Sequence, residues 1–337
     1  MSRPEPPTLP SAEWIPIRVY PKASQLFVDW CHLRGLRLTD PFFDQSVERC
    51  LRHPFSLLFR PQTPIEWLLE PGALPPALSP RGFIFHLSRC GSTLVSQMLA
   101  ALPRHVVLSE AAPIDSVLRA HLRVPGLTDE QRIAWLRAIV AALGRQRHAQ
   151  EQHLFIKFDA WHVLELPLLQ RAFPGVPWIF LYRDPVEIMA SHQGHLGAHM
   201  LPGVLEPALL GLEAEQAKIL AREEYGARVL ARLCEAALKA WQERLSPALL
   251  VHYRQLPEVA LEELPRHWGL ELSTEERERM REAAQRDAKN PVLPFEDDTA
   301  TKQRALAATS RTLVEQWVRP PYEALELARR EALGQRP

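Results

Sequence analysis

FIFHLSRCGSTLVSQML (83–99) is the stretch whose reading decides the fold. Residues 83–87 form a short apolar run of strand length, and the pattern turns helical once Ser88-Arg89-Cys90-Gly91-Ser92-Thr93 has passed. A buried strand that runs straight into a helix gathers backbone N–H groups, a helix N-terminus, hydroxyls and a guanidinium in one small volume. Each of these favours an anionic oxygen. Gly91 removes a side chain where the backbone must come close to a ligand. The usual nucleotide-triphosphate loop, G-x-x-x-x-G-K-[ST], is not what stands here, since its first glycine and its lysine are missing. A cysteine-phosphatase loop is excluded as well: an arginine should follow the cysteine by six residues, and position 96 is serine.

Outward from this stretch the pattern alternates. Residues 82–87, 105–108, 154–158, 176–182 and 248–253 read as strands. Thr128 and Gln131 have capping-box spacing ahead of Ile133, Leu136, Val140 and Leu143, which share one helix face; Ser273 and Glu276 repeat the cap. One long helix is expected over roughly 207–245 and a last one over roughly 311–330. Strands separated by helices predict an α/β fold of the P-loop nucleotide-binding type: a parallel β-sheet flanked by helices on both faces, with ligands at the carboxyl ends of the strands.

A chain of 337 residues suits one large α/β domain with an appendage. Fourteen of its 31 prolines precede residue 81, and the run 71–82 is rich in Pro and Gly. The expected division is therefore an N-terminal extension over 1–80, irregular and partly helical and packed on the main domain, followed by the main domain over 81–330. Forty basic against forty acidic residues argue against a nucleic-acid partner or an anionic membrane surface. With 34 Arg against six Lys, the cations are mostly permanently charged forks suited to oxyanions. No apolar run reaches the roughly 18 residues that cross a bilayer. The first ten residues hold no signal-peptide pattern, and four scattered cysteines form no metal or disulfide framework, so a cytoplasmic setting is expected.

S-R-C-G-S-T-L (88–94) resembles the P-[KR]-S-G-T-T-[LW] loop of sulfotransferases that use 3′-phosphoadenosine 5′-phosphosulfate, departing from it at Ser88 and Cys90. The resemblance implies that the loop, Ser88 to Thr93, holds the 5′-phosphosulfate. Arg89 would stabilise the bridging oxygen as sulfate leaves, Gly91 would permit close approach, and Ser92 and Thr93 would offer hydroxyls. Arg89 can only neutralise developing charge, because a guanidinium does not give up its proton. A second motif agrees. Tyr182-Arg183-Asp184-Pro185 follows the fourth strand, and Ser191 stands eight residues beyond Arg183. Sulfotransferases have a similar strand, R-[DN]-P and serine, where Arg and Ser grip the 3′-phosphate. An arginine fork at a strand end and a proline in the first helical turn suit that role. The family's C-terminal R-K-G-x-x-G loop is absent; Lys289 and Lys302 lie in the corresponding part of the chain, each a nucleotide contact or a solvated lysine. The resemblance spans roughly residues 82–325 and leaves 1–80 outside it.

Sulfuryl transfer to an alcohol requires the hydroxyl proton to leave as the new bond forms, so a carboxylate or imidazole should face the transferable group. Glu110, just past the second strand, is the expected base, with an exposed helix-start acid as its ordinary alternative. His162, beside Trp161, and His86, before the loop, are further candidates. Lys157 resembles the lysine of the family's L-K-x-P stretch, and a buried lysine needs a partner. His192, His195 and His199 have helical spacings that invite a metal reading, but Gly194 and Gly197 weaken a helix and no acid lies among them. With Lys157 and His162 they are read as substrate-lining, and no metal is expected. The reading as a whole is a sulfotransferase acting on a small-molecule or glycan hydroxyl, or an amine. Its alternatives are a small-molecule kinase, with Asp159 holding magnesium at the end of the third strand, or a non-catalytic nucleotide-binding module.

Overall fold

The computed structural model describes residues 11–22, 25–74, 76–194, 196–289 and 306–334. Among them, eight strands fall into two sheets. The antiparallel sheet holds β1 (Trp14–Lys22), β2 (Gln25–His32) and β3 (Gln62–Pro64). The other sheet is wholly parallel. It is made of β4 (Pro80–His86), β5 (His105–Ser109), β6 (His153–Lys157), β7 (Trp178–Tyr182) and β8 (Ala248–His252), in the order β5-β6-β4-β7-β8. All five expected strands are present, and the α/β class with a helix-covered parallel sheet holds.

Strand periodicity explains how both faces are covered. Phe83, Phe85, Leu154, Ile156, Trp178 and Phe180 point into one apolar core. Ile84, Phe155, Ile179 and Leu181, each one residue out of phase, point into a second. The helices Asp129–Leu143, Leu166–Ala172 and Arg222–Glu243 fill the first core, while Ser92–Ala100 and Glu258–His267 fill the second. The chain enters at the central strand β4, turns to one side for β5 and β6, then crosses to β7 and β8. Such a reversal leaves a crevice at the carboxyl ends of the strands.

Three expectations change. The segment before residue 80 is partly helical, as expected, through Phe43–Leu51 and Pro54–Leu58, but it is not otherwise irregular: it forms the antiparallel sheet. Pro16 hid β1, because proline normally interrupts a strand; here it sits on an edge strand where the register slips between Pro16 and Arg18. Trp14, Ile15, Val28 and Trp30 join the first core of the main sheet. The single helix over 207–245 is instead a 3₁₀ turn (Pro207–Leu210), a short helix (Ala214–Ile219) and a long one (Arg222–Glu243). Gly211, at φ 68°, ends the first piece, and a box between Glu213 and Gln216 opens the second. The last helix contains a π-turn at Val314–Val318, just ahead of Pro320 and Pro321, whose missing N–H groups break the ladder. No helix among the described residues is long and apolar enough to cross a membrane.

Candidate active site

All five parallel strands end on one cleft of about 580 Å³. The loop Ser88–Thr93 reaches it from β4, Glu110 from β5, Asp159 from β6, Arg183 from β7 and Tyr253 from β8.

The loop turns through three left-handed residues, Ser88 (φ 64°), Arg89 (φ 50°) and Gly91 (φ 86°). A β-carbon at position 91 would lie 2.5 Å from Leu256 Cδ1 in a conformation already strained for an L-residue, so glycine is required. The Ser88 N–H donates to His86 Nδ1 at 3.0 Å. The Cys90 thiol donates to the Leu181 carbonyl oxygen at 3.1 Å, and burial pushes it up to about 12. Its sulfur ties the loop to β7, leaving the backbone of Cys90 as the part that faces a ligand. Helix Ser92–Ala100 begins with no side-chain cap, so its first-turn N–H groups stand at the cleft beside the Ser92 and Thr93 hydroxyls.

At the end of β7, Pro185 opens helix Pro185–Gly194. Asp184 Oδ1 accepts from the Val186 N–H at 2.8 Å, and its Oδ2 pairs with Arg319 at 3.2 Å. Buried Arg183 is ion-paired with Glu187, one turn on, and its guanidinium lies 4.1 Å from the centre of the Tyr253 ring. Arg89 Nε donates to Ser191 Oγ at 2.6 Å, joining two motifs 102 residues apart.

Glu110 and Lys157 also meet. Ser109 stands opposite Lys157 in the ladder of β5 and β6, which brings the next residue, Glu110, to the lysine. The Glu110 carboxylate is ion-paired with the fully buried Lys157 ammonium, and His86 Nε2 lies 3.5 Å from it. Burial alone would raise the Glu110 carboxyl, but the Lys157 charge and the His86 contact outweigh it and hold the group well below the usual carboxylate range. Phe42, from the N-terminal segment, places its ring 4.9 Å from Lys157 Nζ.

Asp159 behaves in the opposite way. Burial pushes its carboxyl up to about 7; His162 and Lys157 oppose the rise, and Glu110 and Asp115 add to it. Behind Asp159, the His162 ring accepts the Asp159 N–H on Nδ1 at 3.2 Å and meets Asp115 Oδ1 through Nε2 at 2.9 Å. Trp161 Nε1 donates to the same oxygen at 2.8 Å. His162 therefore stands behind the cleft wall and does not line it, a correction to its expected place. Asp115, Asp159 and His162 bring one ligating atom each within 4.8 Å of one another. Both ring nitrogens are already engaged by protein groups, so a cation would have to displace one of them.

His192 and His199 line the cleft with Trp161, their rings edge to face at 5.5 Å. The helix ends at Gly194, so the two do not share the helical face that the metal reading required. Burial pushes His199 down to about 3 and keeps it neutral. Lys289 stands at the mouth, its ammonium 6.0 Å from the Phe42 ring; desolvation there, then the charges of Arg89 and Lys157, push it down to about 8. His195 and Lys302 lie outside the described residues. Phe42, Tyr253 and Asp115 were not singled out from the sequence. Only Tyr253 carried a signal, as the last residue of the run read as the fifth strand.

No family model matches the chain, and no curated protein matches it. Among solved structures the chain is similar to sulfotransferase STF1 from Mycobacterium tuberculosis H37Rv, at 15% identity over 74% of this chain and 80% of that one, with a TM-score of 0.41. It is similar to sulfotransferase STF9 from Mycobacterium avium at 12% identity over 75% and 78%, with a TM-score of 0.42. A sulfotransferase from Alicyclobacillus acidocaldarius is similar at 11% identity over 74% and 96%, again at 0.42.

Proposed function

We propose that the protein is a sulfotransferase, moving a sulfuryl group from 3′-phosphoadenosine 5′-phosphosulfate to a hydroxyl or amine acceptor. The supporting observation is the bond from Arg89 Nε to Ser191 Oγ, 2.6 Å long, which makes the loop after β4 and the helix after β7 one anion-binding surface. The residues fit a nucleotide with phosphates at both ends. The uncapped helix start, Gly91 and the hydroxyls of Ser92 and Thr93 suit the 5′ side; Arg183 and Ser191 suit the 3′-phosphate, with Lys289 at the mouth.

Once bound, the donor supplies a sulfuryl group already attached to a phosphate leaving group. Arg89 neutralises the charge that develops on that phosphate oxygen. Lys157, expected among the substrate-lining residues, is instead fully buried behind the cleft wall, where it pairs with Glu110. Glu110 was the base expected from sequence, but a carboxylate tied to a buried ammonium is a weak proton acceptor. Its role in this reading is counterion to Lys157.

Thermal-shift measurements with adenosine 3′,5′-bisphosphate, with ATP and magnesium, and without ligand test the reading. Stabilisation by the bisphosphate alone is expected, followed by release of bisphosphate from the sulfated donor. Stabilisation by ATP and magnesium alone would favour the kinase, and binding without turnover the non-catalytic module.

A further inference from the structure

We infer that Asp159 is the residue that takes the acceptor's proton, with His162 and Asp115 as positioning residues. This rests on the sulfuryl-transfer reading and names the base that reading leaves open. The placement comes first. Asp159 follows β6, the strand that lies between β4, which carries the Arg89 loop, and β5, which carries Glu110. Asp159 lines the cleft together with Trp161 and His199, whose rings lie 5.8 Å apart between centres. A neutral imidazole and an indole suit a neutral hydroxyl compound better than an anion.

The support behind Asp159 is equally specific. The Asp159 N–H points at His162 Nδ1, and Nε2 faces Asp115 Oδ1. Burial alone would lower this imidazole, but the bond to Asp115 and the charges of Asp159 and Asp115 outweigh it and raise it. The ring is thus fixed on both sides, with Asp159 Oδ2 3.7 Å from Nδ1. The charged and titratable groups that act on Asp159 are His162, Glu110, Asp115 and Lys157. Two other groups of the cleft compete for the role: Glu110, which Lys157 holds as a carboxylate, and His86, whose imidazole burial pushes down and whose Nδ1 already accepts the Ser88 N–H. A carboxyl near neutrality is matched to proton transfer at neutral pH, and two carboxyls pushed apart by their surroundings mark separate duties.

In the step, the acceptor O–H proton moves to the Asp159 carboxylate as the acceptor oxygen's electron pair forms the new S–O bond. The S–O bond to the leaving phosphate breaks, and its electron pair stays on the phosphate oxygen that Arg89 neutralises. Asp159 then gives its proton to water.

The test uses the full chain, the sulfated donor, and water and 4-nitrophenol as acceptor probes. Asp159→Asn should slow bisphosphate release by about 10²–10⁴ and remove the acidic limb of the pH profile. Its affinity for adenosine 3′,5′-bisphosphate should stay unchanged. His162→Gln should move that limb while keeping most of the rate above it. Carbon-13 aspartate labelling gives a readout without turnover: one carboxyl should titrate near 7 and vanish in Asp159→Asn. An Asn variant that keeps both rate and limb overturns the inference. If that variant does not fold, Asp159→Glu decides, and an unmoved limb overturns it. Wild-type protein that binds bisphosphate but releases none with either probe instead defeats the sulfuryl-transfer reading, and the inference with it.

Discussion

Glu110 and Asp159 end adjacent strands, face the same cleft and are similarly shielded, with 24% and 13% of their side chains exposed, yet their carboxyls are driven in opposite directions. Depth does not separate them. The difference is one ammonium: Lys157 pairs with Glu110, while Asp159 has beside it an imidazole that already accepts a backbone N–H and is bonded to Asp115. In a desolvated cleft, the partner decides which carboxylate is a fixed charge and which one can exchange a proton.

The largest effect should come from breaking the fixed side of the pair. Glu110→Gln leaves a fully buried Lys157 without its counterion and should cost about 3–5 kcal/mol of stability, read by denaturant unfolding. Adding Lys157→Met should recover most of that loss, since the stranded charge is then gone. The depressed Glu110 carboxyl also sets a sign: its stabilisation is present above the ordinary carboxylate range and fades as pH falls through and below it. A Gln variant of full stability that has lost the acidic limb would reverse the comparison and make Glu110 the base.

Arg89→Ala comes next. Removing one preorganised electrostatic contact typically costs about 2.7–4 kcal/mol of barrier, or 10²–10³ in rate. In the proposed reaction the arginine acts on the leaving group and moves no proton, so the pH profile should keep its shape while its height falls. A changed limb would show that the carboxylates are not electrostatically separate from the loop.

The exchangeable side has its own stability signature, opposite in sign. The Asp159 carboxyl lies above its unfolded value, so the folded chain binds more protons between about pH 4 and about 7. Stability from this group is therefore full at low pH and lost as pH rises through that window. Asp159→Asn should flatten the dependence and be the more stable protein at pH 7. Equal slopes for the two proteins would place Asp159 in the ordinary range.

What could be read in advance divides along the same line. The loop Ser88–Thr93 and the stretch Arg183–Ser191 were legible as a strand end running into a helix start, because each is local, spanning six and nine residues of chain. The strands were legible from runs of Phe, Ile, Leu and Val. The pairing of Glu110 with Lys157 was not, since it depends on which strand neighbours which, and β5 meets β6 only after 47 residues. Asp115 and Phe42 were invisible for the same reason. Phe42 reaches Lys157 from a segment whose sheet was masked by Pro16 at an edge bulge.

Ser191→Ala should give the smallest change and sharpens the comparison most finely. It removes the oxygen that accepts from Arg89 Nε, a bond of 2.6 Å, together with the hydroxyl contact to the nucleotide that the proposed function assigns to it. A hydrogen bond of this kind contributes about 0.5–1.5 kcal/mol net, so affinity for adenosine 3′,5′-bisphosphate should weaken roughly 2–10-fold. The 5′-monophosphate should weaken less, since it carries no 3′ group, and calorimetry of both ligands reads the difference. Combined with Asp159→Asn, the effect on affinity should be additive, because the proposed reading assigns one group to nucleotide binding and the other to proton transfer. Coupling between the two would mean that the ends of β6 and β7 act as one unit, and that the separation of fixed and exchangeable charge stops at the carboxylates.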